Sequence, residues 1–366
     1  MTPKLFTPFT LKSVTLRNRI VVSPMCQYQA IDGLPTGWHP THYQSLARGG
    51  AGLVVVEATA VSPEGRITPG CLGLWSDEHA AAVEPIVRGI KSAEAVPGIQ
   101  IGHAGRKASA NLPWEGDDHI PADDPRAWEP IAPSAVPFGA SLPRVPREMT
   151  TADIERVKAD FVSAAARARD TGFEFLLLHF AHGYLAQNFL SPWSNHRMDA
   201  YGGSAENRGR FMLETLQAVR AVWPEHLPLA ARLGVIEFDG RDEETLTESI
   251  ALAGRFKQHG LDFLDVSMGF STPAASIPWG PGQLRQISKR VLSETGLPGA
   301  TSWNINTPAL AEELLQEGAA DVVMLARPML ANPHWPFTAA RELEVPSPAA
   351  VLPSPYAHWL SRYHFA

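Results

Sequence analysis

The chain has 366 residues, 45% hydrophobic and 19% charged, with a formal net charge of −7, the balance of an ordinary soluble globular protein. That charge leaves no footprint for nucleic acid or an anionic membrane, and no apolar run approaches the ~20 residues a membrane span needs. Cys26 and Cys71 are the only cysteines, too few for a disulfide scaffold or a cysteine-ligated iron–sulfur cluster. The N-terminal residues lack the charged-then-apolar layout of a signal peptide, so a cytoplasmic protein is expected.

In chain order, residues 5–16 read as a short β-hairpin with Lys12 and Ser13 near its turn. Residues 20–23 form a first short buried strand stopped by Pro24, followed by a loop holding Met25, Cys26, Gln27 and Tyr28. A helix over 40–48 ends at Gly49 and Gly50. Residues 53–58 are a continuous aliphatic run of the kind a parallel sheet buries on both faces. A helix over 77–93 leads to a third strand at 98–103, and regular patterning then fails from Ala104 to Met149. An irregular insertion of that length is usually functional or disordered. Its tryptophans and prolines favour an ordered cover over a site.

Residues 151–171 give the clearest helix, with Ile154, Val157, Phe161, Ala165 and Ala168 on one face and Gly172 as its stop. The fourth strand begins at Phe175 and runs into His179, His182, Gly183 and Tyr184. Further strands are expected at 227–234, 263–268, 298–303 and 321–327, with helices over 245–259 and 308–316. The last helix carries Thr307 as its cap and Pro308 at its first position. Strands alternating with helices over one chain, without a composition break, are the pattern of a (β/α)8 TIM barrel, here a single domain over 1–366 with an N-terminal β-hairpin and an extended loop after strand 3.

Chemistry in such a barrel is built at the carboxyl ends of the strands. Pro24, Met25, Cys26, Ala58, Gln100, His103, His179, His182, Tyr184, Arg232, Trp303, Asn304, Ala326 and Arg327 collect there. A spacing of three residues puts His179 and His182 on opposite faces of an open strand, so they converge only if the chain turns after the strand. The inventory offers no close carboxylate pair for glycoside hydrolysis and no oriented base beside Cys26. His103, His179 and His182 are metal-ligand types, with Glu57 awkwardly placed in its strand, so metal-dependent hydrolysis stays open as a second reading. A better fit is a phosphorylated, anion-forming ring such as reduced flavin mononucleotide. Gln100 pairs with its edge, Arg232 balances its charge, and Arg327 sits where these barrels hold phosphate.

The residues resemble the old yellow enzymes, FMN-dependent ene-reductases, and within them the bacterial xenobiotic reductase (thermophilic-like) branch. The motifs are Ser23-Pro-Met-Cys-Gln-Tyr28, Gly65-Arg-Ile-Thr68, Gln100-Ile-Gly-His-Ala-Gly-Arg-Lys107, His179-Phe-Ala-His-Gly-Tyr184, Leu190-Ser-Pro-Trp-Ser-Asn195, Asp199-Ala-Tyr-Gly-Gly-Ser204 and Glu206-Asn-Arg208. The resemblance implies non-covalent FMN held by Pro24, Met25, Cys26, Ala58, Gln100 and Arg232, with its phosphate at Asn304, Ile305, Ala326 and Arg327. It implies NADPH or NADH as reductant in ping-pong turnover. His179 and His182 would bind the oxygen of an activated alkene, reduced flavin would give hydride to the β-carbon, and Tyr184 would protonate the α-carbon. Cys26 would tune potential and fit, and Tyr28 and Trp303 would wall the pocket. Trp359, on a tail of about 345–366, would complete a neighbouring subunit's pocket in a homodimer or larger assembly. No nucleic-acid or membrane partner and no metal are implied.

This chain carries Asn304 and Ala326 where the family's phosphate loops usually carry glycine, and a modest loss of FMN affinity is expected. Cys71 is read as an ordinary small side chain. His39 and His42 are read as loop or helix-surface residues rather than ligands. Arg106 and Lys107 are read either as attracting NADPH phosphate or as solvated charge.

Overall fold

The computed structural model describes residues 2–363. A hairpin of β1 (Phe9–Leu11) and β2 (Val14–Leu16) turns at Lys12, whose φ is +52°. The chain then alternates through β3 (Ile20–Val22), α1 (Trp38–Arg48), β4 (Leu53–Ala60), α2 (Asp77–Ser92) and β5 (Val96–Gly102). The insertion that follows carries only two two-residue strands, β6 (Ile131–Ala132) and β7 (Arg147–Glu148), among short turns. After it come α3 (Thr151–Thr171), β8 (Phe175–Phe180), α4 (Leu185–Leu190), α5 (Ala205–Arg220) and β9 (Leu229–Ile236). The barrel is completed by α6 (Asp242–Gln258), β10 (Phe263–Met268), α7 (Arg285–Thr295), β11 (Gly299–Thr301), α8 (Pro308–Gln316) and β12 (Val322–Leu325). Three short helices close the chain: α9 (Arg327–Ala331), α10 (Trp335–Glu342) and α11 (Ser354–Leu360).

β3, β4, β5, β8, β9, β10, β11 and β12 pair in parallel in that order and close on themselves. The (β/α)8 barrel, its N-terminal hairpin and the long insertion after the third strand are all present. Alternate residues of the strands fill the interior. Val21, Leu53, Val55, Phe175, Leu177, Ala230, Phe263, Ala300, Val322 and Met324 form one cluster, and Val14 and Leu16 of the hairpin plug its amino end. The opposite faces of the same strands pack on the helices. α3 buries Ile154, Val157, Phe161, Ala164, Ala165 and Ala168 against them. A capping box between Thr150 and Asp153 starts α3, and Gly172, left-handed at φ +93°, ends it.

The pattern located α3, α8 and β10 to the residue but did not place α7, nor α5, although Ser204 caps α5 and Glu206 stands in its first turn. β11 is shorter than the predicted strand because the chain turns left-handed at Trp303 and Asn304, while at Gly299 a Cβ would lie 2.4 Å from Leu292 of α7 and 2.5 Å from the Leu264 carbonyl. The glycine that weakens the strand signal permits the close packing of helix on strand. His39 is a correction, because it is fully buried at the start of α1 rather than at a helix surface. Among the described residues no helix is long and apolar enough to cross a membrane.

Candidate active site

The inward positions of the strands turn polar at their carboxyl ends. On β8 the column runs Phe175, Leu177, His179; on β9 it runs Ala230, Arg232; on β10 it runs Phe263, Asp265, Ser267. Arg232 stands opposite Asp265 in the β9–β10 register, and the two form an ion pair at 4% and 0% exposure. The guanidinium also donates to Ser23 Oγ at 2.9 Å and approaches Met324 Sδ at 3.3 Å. Sequence reasoning passed over Asp265 and Ser267, which lie on the inward face of β10 beside Arg232 and His182.

The turn required after His179 is present. His182 and Gly183 are both left-handed, at φ +61° and +69°, which swings the second imidazole back toward the first. The His179 and His182 ring centres are 4.9 Å apart, and the Tyr184 ring lies 5.0 Å from His179 and 6.4 Å from His182. Ser267 Oγ lies 2.8 Å from His182 Nε2 and accepts the Trp303 indole N–H at 3.0 Å, fixing imidazole and indole together. Burial first, then the nearby cations Arg232 and Lys107, push both imidazoles well below their ordinary range, so both are neutral at neutral pH. Burial likewise pushes the Tyr184 hydroxyl well up, leaving it a proton donor.

Arg106 and Lys107 are not placed as solvated charges or as a free phosphate site. Arg106 is 1% exposed and donates to the carbonyls of Val136, Pro137 and Ser271. Lys107 Nζ donates to the carbonyls of His182 at 2.8 Å and Phe270 at 3.0 Å, and burial draws its pKa down to about 7. Lys107 therefore holds the strained His182 turn from behind.

A cleft of about 340 Å³ opens beside these groups, within the range of small-molecule sites. Pro24, Met25, His182 and Arg232 line it together with Trp303, Asn304, Ile305, Ala326 and Arg327. Arg327 is exposed at its rim, with no ion-pair partner among the described residues. Ala58, His179 and Tyr184 line a smaller adjoining pocket with His103 and Cys71. Gln100 faces Ala58 across the β4–β5 register. Trp303 and Asn304 are left-handed at φ +74° and +53°, and the Asn304 amide donates to Gln283 Oε1 at 2.9 Å. Asparagine tolerates that conformation. Ala326 has φ −111° and ψ −92°, outside the common helical and extended regions, a backbone that glycine adopts more easily.

Cys26 and Tyr28 lie in the loop after β3. Burial pushes the Cys26 thiol well up, so it is not a ready nucleophile. Tyr28 is left-handed at φ +53°, and its ring packs edge-on to Trp114 of the insertion at 5.9 Å. Trp359, on α11, is 71% exposed and does not line the cleft of its own barrel. Among the described residues no three His, Cys, Asp or Glu side chains group as a metal site.

The residues present suit a flavin. Gln100 Nε2 and His179 Nδ1 are buried without hydrogen-bond partners, as expected of groups that await a polar planar ligand. Arg232 supplies fixed positive charge beside them.

Comparison with known proteins agrees. Residues 4–345 match the NADH:flavin oxidoreductase / NADH oxidase family. The chain is 42% identical to an NADPH dehydrogenase of Geobacillus sp. (strain WCH70) over 96% of this chain and 98% of that one. It is 39% identical to the NADPH dehydrogenase of Bacillus subtilis (strain 168) over the same shares. Morphinone reductase, solved in complex with tetrahydroNAD, shares the fold at a TM-score of 0.77 and 27% identity, over 100% of this chain and 98% of that one. The chain belongs to the NADH:flavin oxidoreductase / NADH oxidase family, as an old-yellow-enzyme-type flavin oxidoreductase of the NADPH dehydrogenase kind.

Proposed function

We propose that the protein is an FMN-dependent ene-reductase that saturates the activated C=C bond of α,β-unsaturated carbonyl or nitro compounds, with NADPH or NADH as reductant. The convergence of two neutral imidazoles and a protonated tyrosine beside Arg232, with His182 lining the cleft, carries this reading. Pro24, Met25, Ala58, Gln100 and Arg232 would hold the ring of FMN, and Asn304, Ile305, Ala326 and Arg327 its phosphate. Bound there, the reduced cofactor supplies hydride for the β-carbon. His179 and His182 would donate hydrogen bonds to the carbonyl or nitro oxygen, where negative charge develops. Tyr184 would give its hydroxyl proton to the α-carbon. NAD(P)H and alkene would take turns in the same cleft, giving ping-pong kinetics, and nitro compounds or nitrate esters offer the same oxygen to the histidine pair. The reading extends to one domain over the whole chain and to a homo-oligomer in which the exposed Trp359 completes a neighbour's pocket.

One preparation tests it: record the visible spectrum, reduce anaerobically with NADPH, then add 2-cyclohexenone. Yellow protein bleached by NADPH and reoxidised by the enone is expected. Tyr184→Phe should slow enone reoxidation by ~10²–10⁴-fold, the usual worth of a positioned acid, and leave NADPH reduction alone. A colourless protein, or reoxidation untouched by Tyr184→Phe, refutes the assignment of the site or of its acid.

A further inference from the structure

Glu57 lies at the edge of this site and takes no part in the chemistry proposed for it. The β4–β5 register skips at this residue: Val56 stands opposite Ile99 and Ala58 opposite Gln100, leaving Glu57 as the bulged residue between them. Bulges of this kind re-aim a side chain beside a site. Here the bulge puts Ala58 in line with Gln100 and turns a fully buried carboxylate toward α1 and the loop after β3.

The carboxylate is surrounded by donors. Tyr43 of α1 donates its hydroxyl to Oε1 at 2.8 Å, and the Gln27 backbone N–H donates to Oε2 at 2.9 Å. The neighbouring Tyr28 N–H also favours the anion. The Tyr43 oxygen in turn accepts the Glu57 N–H at 3.0 Å. His39 Nδ1 accepts the Thr36 N–H at 3.0 Å, so the hydrogen of the neutral ring sits on Nε2, 3.7 Å from Glu57 Oε1. The titratable groups facing Glu57 are thus Tyr43 and His39 from α1, Cys26 and Tyr28 from the loop, and Cys71 from the segment after β4. None brings a fixed positive charge.

We propose that Glu57 is a positioning residue for the site: its carboxylate clamps the backbone of Gln27 and Tyr28, and protonation of that carboxylate loosens the loop carrying Cys26 and Tyr28. The proposal rests on the flavin-site reading of that loop. A proton added to Glu57 has only the Tyr43 oxygen to go to, and taking it turns the Tyr43 hydroxyl hydrogen away. The backbone N–H groups are then left with a weaker, neutral acceptor. Tyr28 sits in a left-handed backbone uncommon for a bulky side chain, which persists only where the surroundings hold it. Burial raises the carboxyl to about 7, with the donors pulling the other way, so the clamp works across the range in which a cell lives. The ionised, clamped form lies on the alkaline side.

The test follows the pH dependence of the bound-flavin spectrum in the oxidised wild type, Glu57→Gln and Tyr43→Phe. It also follows the protonated-carboxyl C=O stretch by infrared difference in flavin-free protein. The wild type should show one transition near neutrality by both probes, and Glu57→Gln should lose it. Tyr43→Phe removes a donor that favours the anion and should move the midpoint up by about 1–2 pH units, the worth of one charge-assisted hydrogen bond. A wild type without the transition, a Glu57→Gln protein that keeps it, or an unmoved midpoint in Tyr43→Phe overturns the proposal. Enone turnover of the same samples is scored separately. Failure to reduce 2-cyclohexenone at any pH sinks the ene-reductase reading, while the infrared titration still decides the role of Glu57.

Discussion

Asp265→Asn is the sharpest perturbation of the barrel interior, because it removes a charge and almost no volume. Arg232 is 4% exposed and keeps Ser23 Oγ, Met324 Sδ and at most a neutral amide oxygen once the carboxylate is gone, none of which balances its charge. Removing one partner of a buried ion pair leaves the other charge uncompensated, at a cost of about 3–5 kcal/mol. That is a large share of the ~5–15 kcal/mol that holds most folds together. With a urea dependence of about 3 kcal/mol per M, the midpoint of the flavin-free protein should fall by about 1–1.7 M, followed by far-ultraviolet circular dichroism. The companion variant Arg232→Met/Asp265→Leu removes both charges and should recover most of that loss while losing flavin binding. A loss below about 1 kcal/mol in Asp265→Asn, or a double variant no more stable than the single, would mean that Arg232 finds its compensation elsewhere.

Ser267→Ala takes away the oxygen shared by His182 and Trp303, and should raise the KM for 2-cyclohexenone several-fold while costing about 1 kcal/mol of stability. An unchanged KM would show that His182 is oriented by its backbone turn alone. Because both imidazoles have folded pKa values far below the unfolded ~6.5, the unfolded chain binds more protons in acid. Stability is then full above about pH 6.5 and falls below it, by up to ~1.4 kcal/mol per pH unit for the buried His179 and less for the partly buried His182. Chemical denaturation of the wild type and of His179→Asn/His182→Asn from pH 7 to 5 should differ by that slope, because the other depressed histidines (His39, His42, His103) and the raised Glu57 contribute equally to both. Glycine at 326 would relieve both the uncommon Ala326 backbone (φ −111°, ψ −92°) and the Cβ that would face the phosphate. Ala326→Gly should tighten FMN by up to about tenfold in a flavin-fluorescence titration, and an unchanged Kd clears the methyl group.

The sequence made the barrel legible because buried parallel strands announce themselves as aliphatic runs. The histidine pair was legible because a strand that ends in His179, His182 and a glycine must turn. Asp265 was hidden by context: an acid inside an apolar strand is informative only once its neighbour across the ladder is known to be Arg232. Glu57 looked misplaced for the same reason. Strict alternation mispositions it, and only the bulge between Val56 and Ala58 restores it to a role. α7 escaped because its start carries weak signals, with no side-chain cap at Leu284 and no acidic first turn, whereas α5 carries a Ser204 cap and Glu206 in its first turn and entered only as motif residues. Tertiary packing, not local propensity, makes α7 a helix.

The buried Arg106 fastens two roof segments that are distant in sequence, gripping the carbonyls of Val136 and Pro137 in the insertion and of Ser271 after β10. Main-chain oxygens are the acceptors, so the grip reads loop path rather than loop sequence. Individual side chains in either segment are therefore free to diversify. Exchanging one segment alone with a relative's would misplace the oxygens and strand a cation in the interior. Chimeras built on this scaffold should tolerate scattered substitutions across the roof, yet accept a transplanted roof only when both segments travel together.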